Sequence, residues 1–209
     1  MFCDEGKSSP RLRFRQFQGN WNKTMLSDFV SRVTRKNREN QTALPLTIAA
    51  KHGLVDQVTF FNKQIASKDM SNYYLLLKGE FAYNKSYSND YPWGAIKRLD
   101  LHDVGALSTL YLCFEPNENI NSDFLVHYFE TAKWHNAISD IAGEGARNHG
   151  LLNISVQDFF NTFHMIPKAH EQNKIASFHD LLSKKLKLER NLIKTYHNQK
   201  TKLLLELFI

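Results

Sequence analysis

The forty residues from 169 to 208 contain neither glycine nor proline, a composition that predicts one uninterrupted helix. At about 1.5 Å per residue this helix would be roughly 60 Å long, which exceeds the width of a domain of this size. Nonpolar residues recur along one side of it, at Ile175, Phe178, Leu182, Leu186, Ile193, Tyr196, Leu203 and Leu207. We expect the helix to project from its domain and to bury this nonpolar stripe against a second long helix.

The residues before this helix change pattern several times. Nonpolar residues recur at helical spacing from Thr24 to Lys36, which predicts an amphipathic helix. Four later segments have the composition of short strands separated by turns, at residues 44–48, 73–77, 81–83 and 107–114. In the last of them, alternation predicts that Leu110, Leu112 and Phe114 lie in the core.

Helical spacing returns after Ser122, a favourable cap, and continues to Gly143. Residues 159–166 are expected to form a last strand or a short helix. This order of elements favours an α+β fold over repeated βαβ units. The predicted architecture is a globular domain of short strands and helices with a long projecting coiled-coil helix at its C-terminal end. Its predicted parts are a basic connector over residues 1–20, the globular domain over 21–168 and the helix over 169–209.

Two cysteines, Cys3 and Cys113, are too few for a disulfide framework or a zinc ribbon. The sequence contains no run of eighteen nonpolar residues, and its first residues become polar too soon for a secretory signal. These features predict a cytoplasmic protein that does not enter a membrane.

Positive charge is concentrated at both ends of the chain. The net charge is +8 over residues 7–38, +4 over residues 171–209 and −4 over the intervening residues 39–170. Basic flanks of this kind are typical of proteins that bind a polyanion, although solvated helix faces would give the same charge pattern.

No sequence motif indicates catalysis. The chain has no GxxxxGK[ST] loop, no CxxC or HExxH and no GxSxG elbow, and its nine histidines do not cluster at ligand spacing. The glycines of residues 143–150 follow a predicted helix and miss the GxGxxG spacing of a dinucleotide loop. We therefore expect a non-catalytic protein with neither a metal nor a cofactor of its own.

Two segments have the composition of a recognition surface. Residues 83–92 interleave tyrosines with asparagine, serine and lysine, and Lys97 and Arg98 follow shortly afterwards. The second segment is Arg147-Asn148-His149, which lies between glycines. Arginine can pair with guanine and asparagine with adenine through two hydrogen bonds. Such residues also occur as ordinary turn residues, so each segment is a weak signal by itself.

Several segments together resemble the DNA-specificity (S) subunits of type I restriction-modification systems. They are SPRLRF at 9–14, LPLTIAAKHGLVDQ at 44–57, SKDMSNYYLLLKGEFAYNKSYSNDYPWGAIKRL at 67–99, GEGARNHGLLNIS at 143–155 and the residues from 166 to 175. The first is similar to the lead-in of a target recognition domain, the next three to its body, and the last to the start of a spacer helix.

The resemblance implies a fold and a function. Such subunits carry two recognition domains held apart by two antiparallel helices, and each domain reads half of a split site in double-stranded DNA. They have no catalytic activity. Methyltransferase (M) subunits bind along them and hold the S-adenosylmethionine, and ATP-driven restriction (R) subunits join that complex. The alternative is a scaffold or inactive fragment that binds proteins through its long helix without binding DNA by itself.

The resemblance also implies roles for individual residues. The expected base-reading residues are Lys85, Ser86, Ser88, Asn89, Arg147, Asn148 and His149. Lys97 and Arg98 are expected to contact phosphates, which orient a protein without specifying sequence. The expected helix interface comprises Ile175, Leu182, Leu186, Ile193, Tyr196, Leu203 and Leu207.

The chain departs from the family pattern because it contains one recognition domain and not two. We expect it to be a half-subunit that forms a homodimer, or pairs with another half-subunit, through the long helix. A two-fold dimer would read a symmetric split site.

Overall fold

A computed structural model describes residues 1–142 and 150–207 of the chain. The described strands are β1 (Asn22–Met25), β2 (Val30–Arg32), β3 (Leu46–Ala49), β4 (Gly53–Asp56), β5 (Tyr74–Leu77), β6 (Phe81–Asn84), β7 (Ala95–Arg98), β8 (Val104–Leu107), β9 (Leu112–Pro116) and β10 (Phe163–Ile166). The described α-helices are α1 (Leu26–Phe29), α2 (Gln57–Phe61), α3 (Ser122–Phe129), α4 (His135–Ser139), α5 (Val156–Phe160) and α6 (Ala169–Leu207). The predicted α+β fold with a long C-terminal helix is confirmed.

The centre of the domain is an antiparallel sheet of four strands in the order β2-β9-β6-β7. Phe81, Tyr83 and Phe114 extend from one face of this sheet into a core shared with α3, α4 and α5. Ala82 and Cys113 extend from the other face into a core shared with the hairpin β3–β4 and the pair β5–β8. Because both faces are covered, no residue of the inner strand β6 is exposed.

The first turns of α6 are fixed to the domain. Gln172 accepts a hydrogen bond from the backbone N–H of Asn121 (2.7 Å) and donates one to the carbonyl of Pro167 (2.9 Å). The buried carboxylate of Glu171 receives two hydrogen bonds of 2.7 Å from the guanidinium of Arg13. This root of α6, residues 169–176, therefore joins the N-terminal segment, the start of α3 and the end of β10.

Beyond residue 180, every described residue of α6 is exposed. The helix has 39 residues, so its length is about 58 Å. Six residues of the expected helix interface lie on this exposed part: Leu182, Leu186, Ile193, Tyr196, Leu203 and Leu207. The seventh, Ile175, was wrongly assigned, because it is 1% exposed and belongs to the core of its own domain.

The predicted helix from Thr24 to Lys36 is wrong. These residues form β1, the single turn α1 and β2, because β1 pairs with β10 and β2 pairs with β9. The nonpolar residues Leu26, Phe29 and Val30 of this segment are nevertheless buried. Pairing with distant strands outweighs the local helical pattern.

The predicted strand 107–114 is two strands, β8 and β9, connected by residues 108–111. Leu112 and Phe114 are buried as expected, but Leu110 is 65% exposed in this connection and is not part of the core. The helix expected from Ser122 to Gly143 is interrupted after Phe129, and its cap is Asn121, which accepts a hydrogen bond from the N–H of Phe124 (2.8 Å).

His164 lies in β10 at the centre of a buried hydrogen-bond chain. The Thr162 hydroxyl donates to the carbonyl of Phe159 (2.7 Å) and can therefore only accept from His164 Nε2 (2.9 Å). The other ring nitrogen, Nδ1, then accepts from the hydroxyl of Tyr128 (2.9 Å). This arrangement suits the neutral ring, and burial lowers the pKa of His164 to about 4.

We expect Arg13→Met to lower the free energy of unfolding by about 3–5 kcal/mol, because it leaves the Glu171 carboxylate buried without its partner. Urea denaturation followed by circular dichroism measures this loss. Lys51→Met is the matched control, since Lys51 and Asp90 are both 70% exposed and their ion pair should contribute less than about 1 kcal/mol. Equal losses in the two variants would contradict the role assigned to Arg13.

We expect acid to destabilise the protein through His164. Its pKa is about 4 in the folded state and about 6.5 in an unfolded chain, so the unfolded state binds more protons between these values. The contribution of His164 to the free energy of unfolding is therefore fully present above pH 6.5. It declines by up to about 3 kcal/mol as the pH falls to 4. Urea denaturation at several pH values should show a shallower decline for His164→Gln than for the wild type. Parallel curves would show that His164 does not cause the decline.

Candidate nucleic-acid interface

The connection between β6 and β7 is a folded loop at one end of the central sheet. Its two ends are joined by the hydroxyl of Tyr83, which donates to the carbonyl of Trp93 (2.8 Å). Ser88 and Tyr91 exchange two backbone hydrogen bonds of 3.1 Å, so the loop turns between them. We call residues 85–93 the β6–β7 loop.

Gly94 closes this loop. Its φ of +77° is a conformation that favours glycine, and a Cβ atom here would lie 2.1 Å from the carbonyl oxygen of Asn84. Gly94 therefore permits β6 and β7 to approach closely where the chain returns from the loop.

The β6–β7 loop pairs with residues 150–154. The N–H of Tyr87 donates to the carbonyl of Gly150 (2.8 Å), and the N–H of Leu152 donates to the carbonyl of Lys85 (2.9 Å). The ammonium of Lys85 also donates to the carbonyl of Ile154 (3.2 Å). These contacts bring the first predicted recognition segment beside the residues that directly follow the second. Arg147, Asn148 and His149 themselves lie outside the described residues.

Apart from Pro92, the exposed side chains of the β6–β7 loop carry polar groups. Ser86, Ser88 and Asn89 are all exposed, and they offer hydroxyl and amide groups that can both donate and accept hydrogen bonds. Lys85 is half-buried and linked to Ile154, so it also holds the loop against residues 150–154.

Lys97 and Arg98 do not belong to this exposed surface. The Lys97 side chain is 10% exposed and forms an ion pair of 2.5 Å with Glu130, beyond the end of α3. Arg98 bonds to both Asp100 and Asp123 at 2.7 Å. Both side chains are mostly buried, with 10% and 16% exposure, and are paired with carboxylates of the same chain, so we do not include them in the DNA contact surface proposed below.

A third element reaches this end of the domain, which sequence reasoning missed. At the tip of the β3–β4 hairpin, Lys51 forms an exposed ion pair of 3.3 Å with Asp90 of the β6–β7 loop. Behind the tip, Phe60 of α2 is exposed, and its ring centroid is 6.2 Å from that of His52. The sequence marks this element only by two adjacent phenylalanines, Phe60 and Phe61. The structure leaves both of them exposed.

A cavity of about 880 Å³ lies elsewhere, between the N-terminal segment, α4 and β10. It is lined by Trp21, whose indole N–H has no hydrogen-bond partner among the described residues, and by Lys133, which is paired with Asp4. None of the described residues predicted to contact DNA lines this cavity.

Within residues 1–142 and 150–207, no helix is both long enough and nonpolar enough to cross a membrane. In the same ranges, no three side chains of histidine, cysteine, aspartate or glutamate are grouped so that they could hold a metal ion.

No protein-family model matches the sequence, and no curated protein matches it. Solved structures do match the fold. A chain from a structural study of complex assembly in a type I restriction-modification system is 14% identical over 93% of this chain, with a TM-score of 0.55. The S subunit of such a system from M. genitalium is 14% identical over 84% of this chain, with a TM-score of 0.50. The HsdS subunit from Thermoanaerobacter tengcongensis is 12% identical over 90% of this chain, with a TM-score of 0.49.

The first two matches show that the chain shares their fold, a domain of strands and helices followed by a long helix. That fold is the one found in the S subunits of type I restriction-modification systems, and the resemblance predicted from the sequence is confirmed at this level. The chain spans 44% and 42% of the length of these two proteins.

We expect Gly94→Ala to destabilise the protein by more than about 2 kcal/mol, because the added methyl group collides with the backbone of Asn84. Gly79→Ala is the matched control. Gly79 has a similar φ of +90°, but a Cβ atom added there would meet no other atom within 4 Å, so only the backbone strain of about 1 kcal/mol is expected. Thermal unfolding of both variants measures the difference, and equal melting temperatures would show that the close approach is unimportant.

Proposed function

We propose that this chain recognises a DNA sequence as the target-recognition half of a type I specificity subunit, and that it directs methyltransferase and restriction subunits to that sequence without catalysing a reaction. The observation that carries the proposal is the pairing of the β6–β7 loop with residues 150–152 at one end of a domain with this fold. The segment with DNA-reading composition at 85–93 thereby lies beside the residues that directly follow the other such segment in the sequence.

The exposed groups of this surface suit direct readout of bases. Hydroxyl and amide side chains such as those of Ser88 and Asn89 can distinguish base pairs by the donors and acceptors that the major groove presents. Ser88 also accepts a hydrogen bond from the N–H of Tyr91 (3.2 Å), which fixes its oxygen while leaving its proton free to be donated. Arg147, Asn148 and His149 belong to the proposal because they immediately precede Gly150.

The distribution of charge favours binding within a complex. Residues 39–170 carry a net charge of −4, and the two cations nearest to the loop in sequence, Lys97 and Arg98, are ion-paired. Phosphate contacts supply most of the non-specific affinity of DNA-binding proteins. We therefore propose that the methyltransferase subunit supplies much of the affinity, and that this chain supplies the choice of sequence.

Selection from a randomised duplex pool tests the proposal. The chain is immobilised with and without a type I methyltransferase subunit, and the bound duplexes are sequenced after several rounds. Enrichment of one split sequence that depends on this chain is the expected result. Enrichment of the same sequence by the methyltransferase subunit alone, or of none in the complex, would contradict the proposal.

The exposed nonpolar stripe on α6 favours a second role, the binding of another protein chain. This role is compatible with DNA recognition. Six nonpolar residues of the stripe are exposed along more than one half of the helix, which is more nonpolar surface than a helix normally leaves in water. We propose that this stripe pairs with a second long helix, from another copy of this chain or from another half-subunit.

We expect Asn89→Ala to relax specificity at one base pair of the selected sequence and to weaken binding to that sequence by about 1–3 kcal/mol. Binding to unrelated duplexes should be almost unchanged, because no phosphate contact is lost. Competition titrations with single-base variants of the selected duplex measure both effects. Asn119→Ala is the control, an exposed asparagine in the β9–α3 connection at the opposite end of β9. An equal loss on all duplexes would exclude base reading by Asn89.

We expect the double substitution of Leu182→Glu with Ile193→Glu to abolish self-association while the domain remains folded, because it places two charges in the nonpolar stripe. The matched control is Lys184→Glu with Thr195→Glu, which lie about half a turn away on the same helix. Sedimentation velocity over a range of concentrations measures the association. A wild-type monomer at all concentrations, or dimers that survive the stripe variant, would contradict pairing through this face.

A further inference from the structure

A small groove separates the β3–β4 hairpin tip from the β6–β7 loop. It has a volume of about 300 Å³, and its walls include Lys51, His52 and Phe60 on one side and Ser88, Asp90 and Tyr91 on the other. This volume lies at the lower end of the range of about 300–1,000 Å³ that is typical of ligand pockets. The groove is therefore large enough for a small aromatic group and too small for a folded partner element.

The hairpin side of the groove is rich in aromatic rings that the domain itself does not bury. Phe60 and Phe61 are 46% and 44% exposed, and their ring centroids are 5.0 Å apart. The helix that carries them, α2, has no buried residue. Exposed phenylalanines on such an element contribute little to the stability of the domain, so their exposure calls for a partner.

The other side of the groove belongs to the surface proposed to contact DNA. Ser88, Asp90 and Tyr91 are all part of the β6–β7 loop, and the ion pair between Lys51 and Asp90 links the two sides. Any duplex that lies against Ser88 and Asn89 must therefore also lie over the mouth of the groove. This continuity identifies DNA as the occupant, in preference to a protein partner.

We propose that this groove binds one unstacked nucleobase of the recognised DNA, an inference that rests on the proposed function. The rings of Phe60, His52 and Tyr91 offer faces on which a base can stack, as aromatic side chains do in proteins that bind single-stranded nucleic acid. The Ser88 hydroxyl and the Asp90 carboxylate offer hydrogen-bonding groups to the edge of the base. Lys51, 70% exposed beside the mouth, is placed to contact a flanking phosphate.

Phe60 is the residue on which this binding depends most. It lines the groove, and its ring contacts both His52 and Phe61, so it connects the groove to the rest of the exposed aromatic cluster. Stacking is the only interaction that phenylalanine can offer a base. Removing the ring therefore removes stacking and leaves the hydrogen-bonding groups of the β6–β7 loop in place.

Fluorescence of 2-aminopurine tests the inference. The probe is the duplex obtained from the randomised pool, with 2-aminopurine substituted at each position of the site and its flanks in turn, bound by the chain together with a methyltransferase subunit. Stacking within a duplex quenches 2-aminopurine, so an unstacked base is revealed by a rise in fluorescence. We expect one position whose signal rises on binding and depends on Phe60.

Three variants make the test specific. Phe60→Ala should abolish that signal and weaken binding about tenfold, whereas Phe60→Tyr, which keeps the ring, should retain both. Leu101→Ala should change neither, because Leu101 is 64% exposed in the β7–β8 connection, at the opposite end of the sheet. A base that the methyltransferase itself extrudes would keep its signal in Phe60→Ala, so the two kinds of unstacking are distinguishable.

Each remaining outcome contradicts the inference. If the wild-type complex selects a sequence but no 2-aminopurine signal depends on Phe60, the groove inference fails and the proposed function stands. If Phe60→Ala weakens binding of the methyltransferase subunit and leaves the DNA signal unchanged, the aromatic cluster is a protein contact. If no sequence is selected at all, the proposed function and the groove inference both fail.

Discussion

The ion pair between Arg13 and Glu171 holds the two ends of the domain together. Glu171 is almost completely buried at the first turn of α6, and a carboxylate in that position is tolerated only with a partner that neutralises it and satisfies its oxygens. The two parallel hydrogen bonds from Arg13 do both. The same contact ties the first residues of the chain to the helix that follows the domain. The direction in which α6 leaves the domain is therefore set by a residue 158 positions earlier in the sequence.

The central sheet makes the opposite end of the molecule available for binding. Because both faces of β6 and β7 are covered, these two strands have no exposed residue, and the connection between them is accessible instead. Three segments meet there, the β3–β4 hairpin tip, the β6–β7 loop and residues 150–152. Gly94 and the bond from Tyr83 to Trp93 hold the second of them in one shape. The buried nonpolar sheet thus holds these polar segments in fixed positions.

The sequence predicted most accurately what depends on local composition. The long helix α6 and the strands β5 and β6 were predicted from runs of suitable residues between clear turn signals. The helix proposed for residues 24–36 failed because Leu26, Phe29 and Val30 can reach one core either on a helix or on a strand–turn–strand path, and only the pairing with β9 and β10 decides between them. The site shows the same limit. The β6–β7 loop was proposed as a recognition segment from its own residues, and that prediction stands as a proposal. The ion pair of Lys97 with Glu130 and the proximity of Phe60 involve partners far away in the sequence.

The exposed half of α6 also has a consequence for the lifetime of the protein. Residues 181–207 are all exposed, so the domain does not stabilise them by packing. In an isolated chain this segment is held helical only by its own hydrogen bonds and by the helix propensity of its residues. Such a segment opens often, and open segments are cut by proteases. Pairing with a second helix would suppress the opening in proportion to the amount of partner bound. The lysines at 184, 185, 187 and 194 then place trypsin-sensitive bonds in a region whose protection reports on assembly.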